Sequence, residues 1–250
     1  MSGSSPRKKG DAVGDGALAE QVKAGDVRAI SRLITLIELE DPEATAALKQ
    51  LDGTRGHAAV IGITGYPGAG KSTLINQLAT AYRRQGKKVG IVAVDTTSPL
   101  TGGAILGDRI RMQDQSCDTG VFIRSMATRG QRGGLARATR QTLEVLEAAG
   151  YNVILVETVG VGQNEVEVAF VVQTVVVVVA PGLGDEVQAM KAGLLEVAHI
   201  VVVNKGDREN ADATVRDLAD WVPLVIRTIA LKGEGIAELI TAIEARPCIR

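Results

Sequence analysis

The sequence predicts an α/β fold, a doubly wound and mainly parallel sheet with helices on both faces and a short helical extension at the N-terminus. After residue 57, short runs rich in Val and Ile alternate with longer stretches of helical periodicity. These runs are continuously apolar, which is typical of parallel strands buried on both faces. A length of 250 residues suits one medium domain with a small appendage.

The N-terminal region is predicted to be a tail followed by three short helices. Residues 1–16 are rich in Ser, Gly and Lys, and we expect them to be disordered. Helical spacing of apolar residues then begins, with Asp26 placed to cap the second helix. Asp41 and Pro42 form a start signal for the third. Residues 17–55 are too short for a core of their own, so we expect them to pack on the main domain.

The main domain is predicted over residues 56–246, with a short C-terminal tail at 247–250. Its strands are expected at Ala58–Thr64, Val89–Val94, Val121–Arg124, Val153–Glu157, Thr174–Ala180, Ile200–Asn204 and, more weakly, Leu224–Ala230. The helices between them are expected near 72–85, 133–149, 186–196, 209–220 and 234–245.

The composition argues against several classes of function. Lys and Arg total 28 against 29 Asp and Glu, so the chain has no overall field for nucleic acid or an anionic membrane. Aromatic residues are only 2%, too few for base-stacking platforms. No apolar run approaches the roughly 18–20 residues of a membrane helix, and residues 1–16 lack the apolar stretch expected of a secretory signal. Cys117 and Cys248 fit no disulfide or metal framework, so we expect a cytoplasmic protein.

A glycine-rich loop follows the first strand of the main domain. It reads GYPGAGKST and matches G-x-x-x-x-G-K-[ST] between a strand and a helix. Such a loop turns backbone N–H groups onto phosphate oxygens at a helix N-terminus. Lys71 is expected to reach the β- and γ-phosphates, and Ser72 to offer its hydroxyl to Mg²⁺. The alternative, a turn that merely joins strand to helix, fits the context less well. The candidate phosphate-binding residues are Gly65, Gly68, Ala69, Gly70, Lys71, Ser72 and Thr73.

A second motif, Asn204-Lys205-Gly206-Asp207, follows a Val-rich strand and is suited to reading guanine. The Asp207 carboxylate can accept from guanine N1–H and the 2-amino group, whereas adenine would leave it unpaired. We expect the Lys205 stem to lie over the base and Asn204 to tie this loop to the phosphate loop. The alternative is a polar strand end that caps a helix. The two motifs together predict a guanine nucleotide site on a P-loop NTPase fold of the G-domain type.

Acidic residues at strand ends predict a Mg²⁺ site. Glu157 ends an apolar strand, and Gly160 follows three residues later, where its N–H can meet the γ-phosphate. Asp95 ends another apolar strand in the same layer. Asp108 stands at a predicted helix start, where capping is an alternative role. The candidate metal ligands are Ser72, Asp95, Asp108 and Glu157.

The chain resembles the cobalamin-related GTPases of the MeaB/ArgK type over about residues 17–246. The segments that carry the resemblance are GYPGAGKSTLI, VDTTSPLTGGAILGDRIRM, RSMATRG, ETVGVGQ, PGLGDEVQAMKAG and VVVNKGD. It implies a Mg²⁺-dependent GTPase that protects an adenosylcobalamin-dependent methylmalonyl-CoA mutase and gates delivery of its cofactor.

The resemblance also implies roles for particular residues. Lys71 and Ser72 match the phosphate and Mg²⁺ positions, and the three acids above match the acidic metal-site residues. Asn204, Lys205 and Asp207 match the base site, and Ala230 the backbone contact to the guanine oxygen. The family commonly continues into a C-terminal arm that builds a homodimer, whereas this sequence stops at Arg250, so homodimerisation stays open.

The sequence predicts slow intrinsic hydrolysis, below about 1 s⁻¹, with acceleration by a partner. Regulatory GTPases place a water-orienting glutamine directly after the glycine that Gly160 matches, but Val161 stands there. Gln163, two residues later, is the candidate for that role beside Lys71 and Glu157.

Two other functions remain as alternatives. A metal-insertion GTPase would be marked by a Cys/His cluster, which this sequence lacks. A small-molecule kinase would not need the guanine motif and would prefer ATP. A basic stretch is interpreted as a solvated helix face and loop, with a docking surface as the alternative; it comprises Arg124, Arg129, Arg132, Arg137 and Arg140.

Overall fold

The computed structural model describes residues 15–53, 58–96, 118–128, 134–158, 170–182 and 193–246. Seven parallel strands form one sheet in the order β3-β2-β4-β1-β5-β6-β7. Their bounds are β1 Ala59–Gly65, β2 Val89–Thr96, β3 Val121–Thr128, β4 Val153–Thr158, β5 Thr174–Val179, β6 Ile200–Val203 and β7 Val225–Arg227. Strands β1, β4, β5 and β6 are almost wholly buried, as continuous apolar runs predict.

Seven helices accompany the strands in the described residues. They are α1 Asp15–Lys23, α2 Val27–Glu38, α3 Pro42–Leu51, α4 Lys71–Arg84, α5 Gly134–Ala148, α6 Ala211–Ala219 and α7 Ile236–Glu244, with a 3₁₀ turn at Ala230–Lys232. The predicted caps are confirmed, because Asp26 accepts from the Ala29 N–H at 2.7 Å and Asp41 from the Glu43 N–H at 2.8 Å. Within the described residues, no helix is long and apolar enough to span a membrane.

Several boundaries differ from those predicted, and β3 runs four residues further, to Thr128 instead of Arg124. Helix α1 begins at Asp15, two residues inside the predicted tail. Residues 193–197 form turns instead of the end of a helix at 186–196, since Gly193 takes φ +154°, outside the helical region. Strand β7 ends at Arg227 because the chain then enters the 3₁₀ turn at Ala230.

The sheet separates two main layers of core. Val153 and Leu155 point to the face covered by α4 and α7, whereas Ile154 and Val156 point to the face covered by α5. A third cluster lies between α6 and strands β5 and β6. Helices therefore cover both faces, and the α/β prediction is confirmed.

The N-terminal helices share the core on the α5 side of the sheet. Ile30 and Leu33 of α2 belong to the same buried cluster as Leu146 of α5. Arg124 of β3 donates through Nη2 to the Glu38 carboxylate and, at 3.1 Å, to Thr35 Oγ1. The interpretation of Arg124 as part of a solvated basic face is wrong, because its side chain is only 18% exposed and ion-paired.

Candidate functional site

The loop between β1 and α4 has a backbone path that requires glycine. Gly65 has φ +132° and Gly70 has φ +98°, both disfavoured for residues with a Cβ. A Cβ on Gly65 would collide with the Val178 carbonyl, and one on Gly70 with the side-chain amide of Asn204. The loop therefore packs directly against β5 and against the residue that follows β6.

Lys71, the first residue of α4, folds its side chain back into this loop. Its Nζ donates to the Gly65 carbonyl at 2.7 Å and to the Tyr66 carbonyl at 3.2 Å, and the residue is only 7% exposed. Gly70 caps α4 and contributes no side-chain hydrogen bond to the first-turn N–H groups. A buried ammonium beside a helix N-terminus is suited to binding phosphate.

Ser72 and Glu157 meet at the same edge of the sheet. The Ser72 hydroxyl donates to Glu157 Oε1 at 2.8 Å. Glu157 lies in β4, the neighbour of β1, and is 2% exposed. Mg²⁺ prefers oxygen ligands and commonly takes one or two protein carboxylates together with waters and substrate phosphates. This hydroxyl–carboxylate pair beside the phosphate loop is a donor set that fits Mg²⁺.

The other predicted metal and catalytic residues are only partly described. Asp95 lies in β2, two residues beyond Ala93, which is in register with Glu157, but its side chain lies outside the described part. Asp108, Gly160 and Gln163 lie outside the described residues altogether. Among the residues described, no three His, Cys, Asp or Glu side chains cluster in a way that would hold a metal.

Asn204 connects three parts of the site and is 3% exposed. Its Nδ2 donates to the Ala69 carbonyl of the phosphate loop at 2.9 Å. Its Oδ1 accepts from Thr228 Oγ1 at 3.1 Å and from the Ala230 N–H at 3.0 Å. The predicted tie between the two motifs is therefore present. The Ala230 N–H already has an acceptor here, so contact with a guanine oxygen requires that this N–H share or change its acceptor.

Lys205 and Asp207 follow Asn204 in the loop after β6 and are more exposed than Asn204. Lys205 has φ +58°, and its Nζ donates to the Gly68 carbonyl at 2.6 Å. The Asp207 side chain is 48% exposed and lies 3.8 Å from Lys232 Nζ. An open carboxylate next to a lysine stem fits a ligand that offers N–H donors at its edge.

The sequence did not predict two features of the region around Asp207. A Cβ on Gly206 would approach the Arg227 side chain to 2.7 Å and the Thr228 carbonyl to 3.1 Å, because the loop after β6 lies close to the end of β7. Lys232 beside Asp207 was also missed. The sequence shows only a basic residue two positions after Ala230. That spacing does not reveal where the chain turns, and so it does not place Lys232 beside Asp207.

The comparisons with known proteins decide the family. The family model described as "Methylmalonyl Co-A mutase-associated GTPase MeaB" matches residues 30–247. The chain belongs to the MeaB family. A putative GTPase of Pyrococcus horikoshii is 52% identical over 235 residues, which cover 89% of this chain and 74% of the relative. A probable GTPase of Mycobacterium tuberculosis is 44% identical over 245 residues, covering 91% of this chain and 73% of the relative.

A solved structure agrees with this assignment. The structure described as "LAO/AO transport system kinase" superposes with a TM-score of 0.75 at 29% identity, covering 95% of this chain and 76% of that chain. This MeaB family member is a GTPase with a P-loop NTPase fold, and the predicted resemblance, fold class and enzyme class are confirmed.

Proposed function

We propose that this MeaB family GTPase is a GTP-gated chaperone for an adenosylcobalamin-dependent acyl-CoA mutase such as methylmalonyl-CoA mutase. It would protect the mutase and gate loading of its cofactor in the cytoplasm. The family description, which names a mutase-associated GTPase, supports this client. We assign nucleotide binding to a domain at residues 56–246 and treat residues 17–55 as its helical extension.

The single observation that carries nucleotide binding is the position of Asn204. Its side chain joins the Ala69 carbonyl of the phosphate loop to the Ala230 N–H. A ligand that spans both loops must carry phosphate at one end and a planar donor–acceptor edge at the other. A guanine nucleotide has both, and Asp207 and Lys205 flank the base end.

We assign the phosphates to the loop and the first turn of α4. The N–H groups of Gly65, Gly68, Ala69, Gly70 and Thr73 are proposed to cradle them. Lys71 would exchange its contacts with loop carbonyls for phosphate oxygens.

Ser72 and Glu157 would hold Mg²⁺, with Asp95 and Asp108 completing the acidic set. Bound Mg²⁺ would supply positive charge against the β- and γ-phosphate oxygens. Glu157 would also keep the Ser72 hydroxyl turned toward the metal, through the hydrogen bond they already share. Gly160 would donate its N–H to the γ-phosphate.

Hydrolysis by the isolated protein is proposed to be slow, below about 1 s⁻¹. Val161 cannot orient a water by hydrogen bonding, so Gln163 would have to take that role. Binding of the client would then raise the rate by ordering the segment that carries it.

A small-molecule kinase is the second candidate, because the name of the solved relative includes the word kinase. The guanine motif favours the GTPase. The metal-insertion alternative has less support, since the described residues hold no cluster of metal-binding side chains.

Calorimetric titration tests the nucleotide assignment. We expect the protein with Mg²⁺ to bind GDP and a non-hydrolysable GTP analogue at least tenfold more tightly than ATP. Preferential binding of ATP would favour the kinase.

The client is tested separately by adding a purified adenosylcobalamin-dependent mutase to the GTPase assay. We expect the hydrolysis rate to rise at least severalfold, and an unrelated acyl-CoA enzyme of similar size is the control. An unchanged rate together with no detectable complex would remove the mutase from the proposal while leaving the GTPase in place.

A further inference from the structure

Three buried threonine hydroxyls belong to α5 and β4, two elements whose apolar side chains share one core cluster. Thr139 and Thr142 of α5 are fully buried, and Thr158 at the end of β4 is 3% exposed. Within the described residues none of the three side-chain oxygens has a hydrogen-bond partner. Nearly all buried polar groups in native proteins are paired, so three unpaired hydroxyls in one interface require an explanation.

Helix and strand geometry places the three hydroxyls along one seam between α5 and β4, whose apolar side chains share a buried cluster. Leu146 of α5 lies over the start of β2 and β4, because a Cβ on Gly90 would be 3.1 Å from Leu146 and 3.7 Å from Ile154. Helix α5 connects β3 to the parallel strand β4, so it runs back from the carboxyl edge of the sheet to the amino edge.

The spacing along helix and strand then matches the three threonines. Thr139 precedes Leu146 by seven residues, or about 10 Å of helix on the same face. Thr158 follows Ile154 by four residues, or about 13 Å of strand on the same face. The two therefore lie at the same level near the carboxyl edge, with Thr142 between Thr139 and Leu146.

This seam adjoins the proposed nucleotide site through β4. Thr158 comes directly after Glu157, the partner of Ser72. It directly precedes residues 159–165, which include Gly160 and Gln163. Any shift of the end of β4 toward the γ-phosphate or the metal moves the Thr158 hydroxyl relative to α5.

We propose that Thr139 and Thr142 are positioning residues that hold the end of β4 when GTP is bound. Their hydroxyls gain hydrogen-bond partners with Thr158 and the adjoining backbone in that state, and they lose them in the GDP state. This inference rests on the proposed GTP site and adds a specific route from it to α5. Helix α5 packs in turn on α2 and α3, so the same seam links the nucleotide to the N-terminal helices.

The test removes each hydroxyl and keeps the shape of the side chain. Thr139→Val and Thr142→Val, singly and together, are compared with wild type by titration with GDP and with a non-hydrolysable GTP analogue. We expect GDP affinity to stay within twofold and analogue affinity to fall at least fivefold in the double variant. Thr139→Ser, which keeps the hydroxyl, should retain the wild-type affinity ratio.

A matched control comes from an exposed helical threonine. Thr241 of α7 already donates to the Ala237 carbonyl at 3.0 Å, and Thr241→Val should leave the ratio unchanged. The proposal would be overturned if the double variant bound GDP and the GTP analogue with equally reduced affinity, or if the ratio of the two affinities stayed unchanged. The seam would then have a static structural role.

Hydrogen exchange on the wild-type protein gives a second readout if a variant fails to fold. Amides of residues 139–146 should exchange more slowly with the GTP analogue than with GDP, whereas α7 amides should not change. Identical exchange along α5 in both states contradicts the proposal. Failure of wild type to bind any guanine nucleotide would instead refute the GTP site itself.

Discussion

Asn204 is the residue on which the geometry of the site most depends. Its three side-chain hydrogen bonds are buried, and each joins a different piece of backbone or side chain. Asn204→Ala leaves the Ala69 carbonyl and the Ala230 N–H without this partner. We expect a loss of about 2–4 kcal/mol in the free energy of unfolding, together with at least a tenfold loss of GDP affinity.

Urea unfolding and calorimetry measure these two effects. Thr228→Val is the matched control, because it removes one of the three bonds and keeps the volume of the side chain. It should cost about 1 kcal/mol. Equal stability of Asn204→Ala and wild type would contradict this role of the residue.

We expect His199 to make stability depend on pH. Its Nδ1 accepts from the Val175 N–H at 2.9 Å, and burial, with Arg246 nearby, lowers its pKa below the usual 6.5. At pH values between the folded and the unfolded pKa of His199, the unfolded chain binds more protons than the folded chain. The stabilisation that neutral His199 provides is therefore complete above pH 6.5 and declines as the pH falls below it. His199→Gln keeps an acceptor and should flatten this decline in urea titrations from pH 8 to 5.5. An equally steep decline in the variant would assign the pH dependence to other groups.

At the scale of elements, an ion pair links α2, one of the N-terminal helices, to β3 of the sheet. Glu38 of α2 and Arg124 of β3 are each less than one-fifth exposed. Glu38→Gln leaves a largely buried guanidinium without its counter-charge, and we expect a loss of about 1–3 kcal/mol in unfolding free energy.

A more exposed pair in the same region is the control for Glu38→Gln. Arg32 and Glu43 meet at 2.8 Å with side chains 51% and 28% exposed. Glu43→Gln should change stability by less than about 0.5 kcal/mol. Equal effects of the two substitutions, measured by urea unfolding, would show that burial does not distinguish the pairs.

Secondary-structure elements were predictable from the sequence where a few neighbouring residues determine them. Caps at Asp26 and Asp41 depend on a few adjacent residues, so their positions follow from sequence. The pairing of Arg124 with Glu38 joins residues 86 positions apart and requires the packing of α2 on β3. No spacing along the chain reveals such a contact.

At the scale of the whole molecule, the parallel sheet was predictable but its strand order was not. Apolar strands alternating with helices indicate a parallel sheet whatever the order of its strands. The two nucleotide motifs could be located because both follow strands, and parallel strands end at one edge. Gly206 and Lys232 were not predictable, because their importance depends on how β7 and the following turn approach that edge. The division into a helical extension and a GTPase domain stays a prediction.

The central claim is that Asp207 reads the base of a guanine nucleotide, and changing the base together with the residue tests it most directly. Xanthine carries a carbonyl where guanine carries the 2-amino group, so an amide donor should replace the carboxylate acceptor. GDP and xanthosine diphosphate are titrated into wild type and Asp207→Asn, with Mg²⁺ present. We expect wild type to prefer GDP and the variant to prefer xanthosine diphosphate, each at least tenfold. An unchanged preference for GDP in the variant would contradict the assignment of Asp207 and with it the proposed base site.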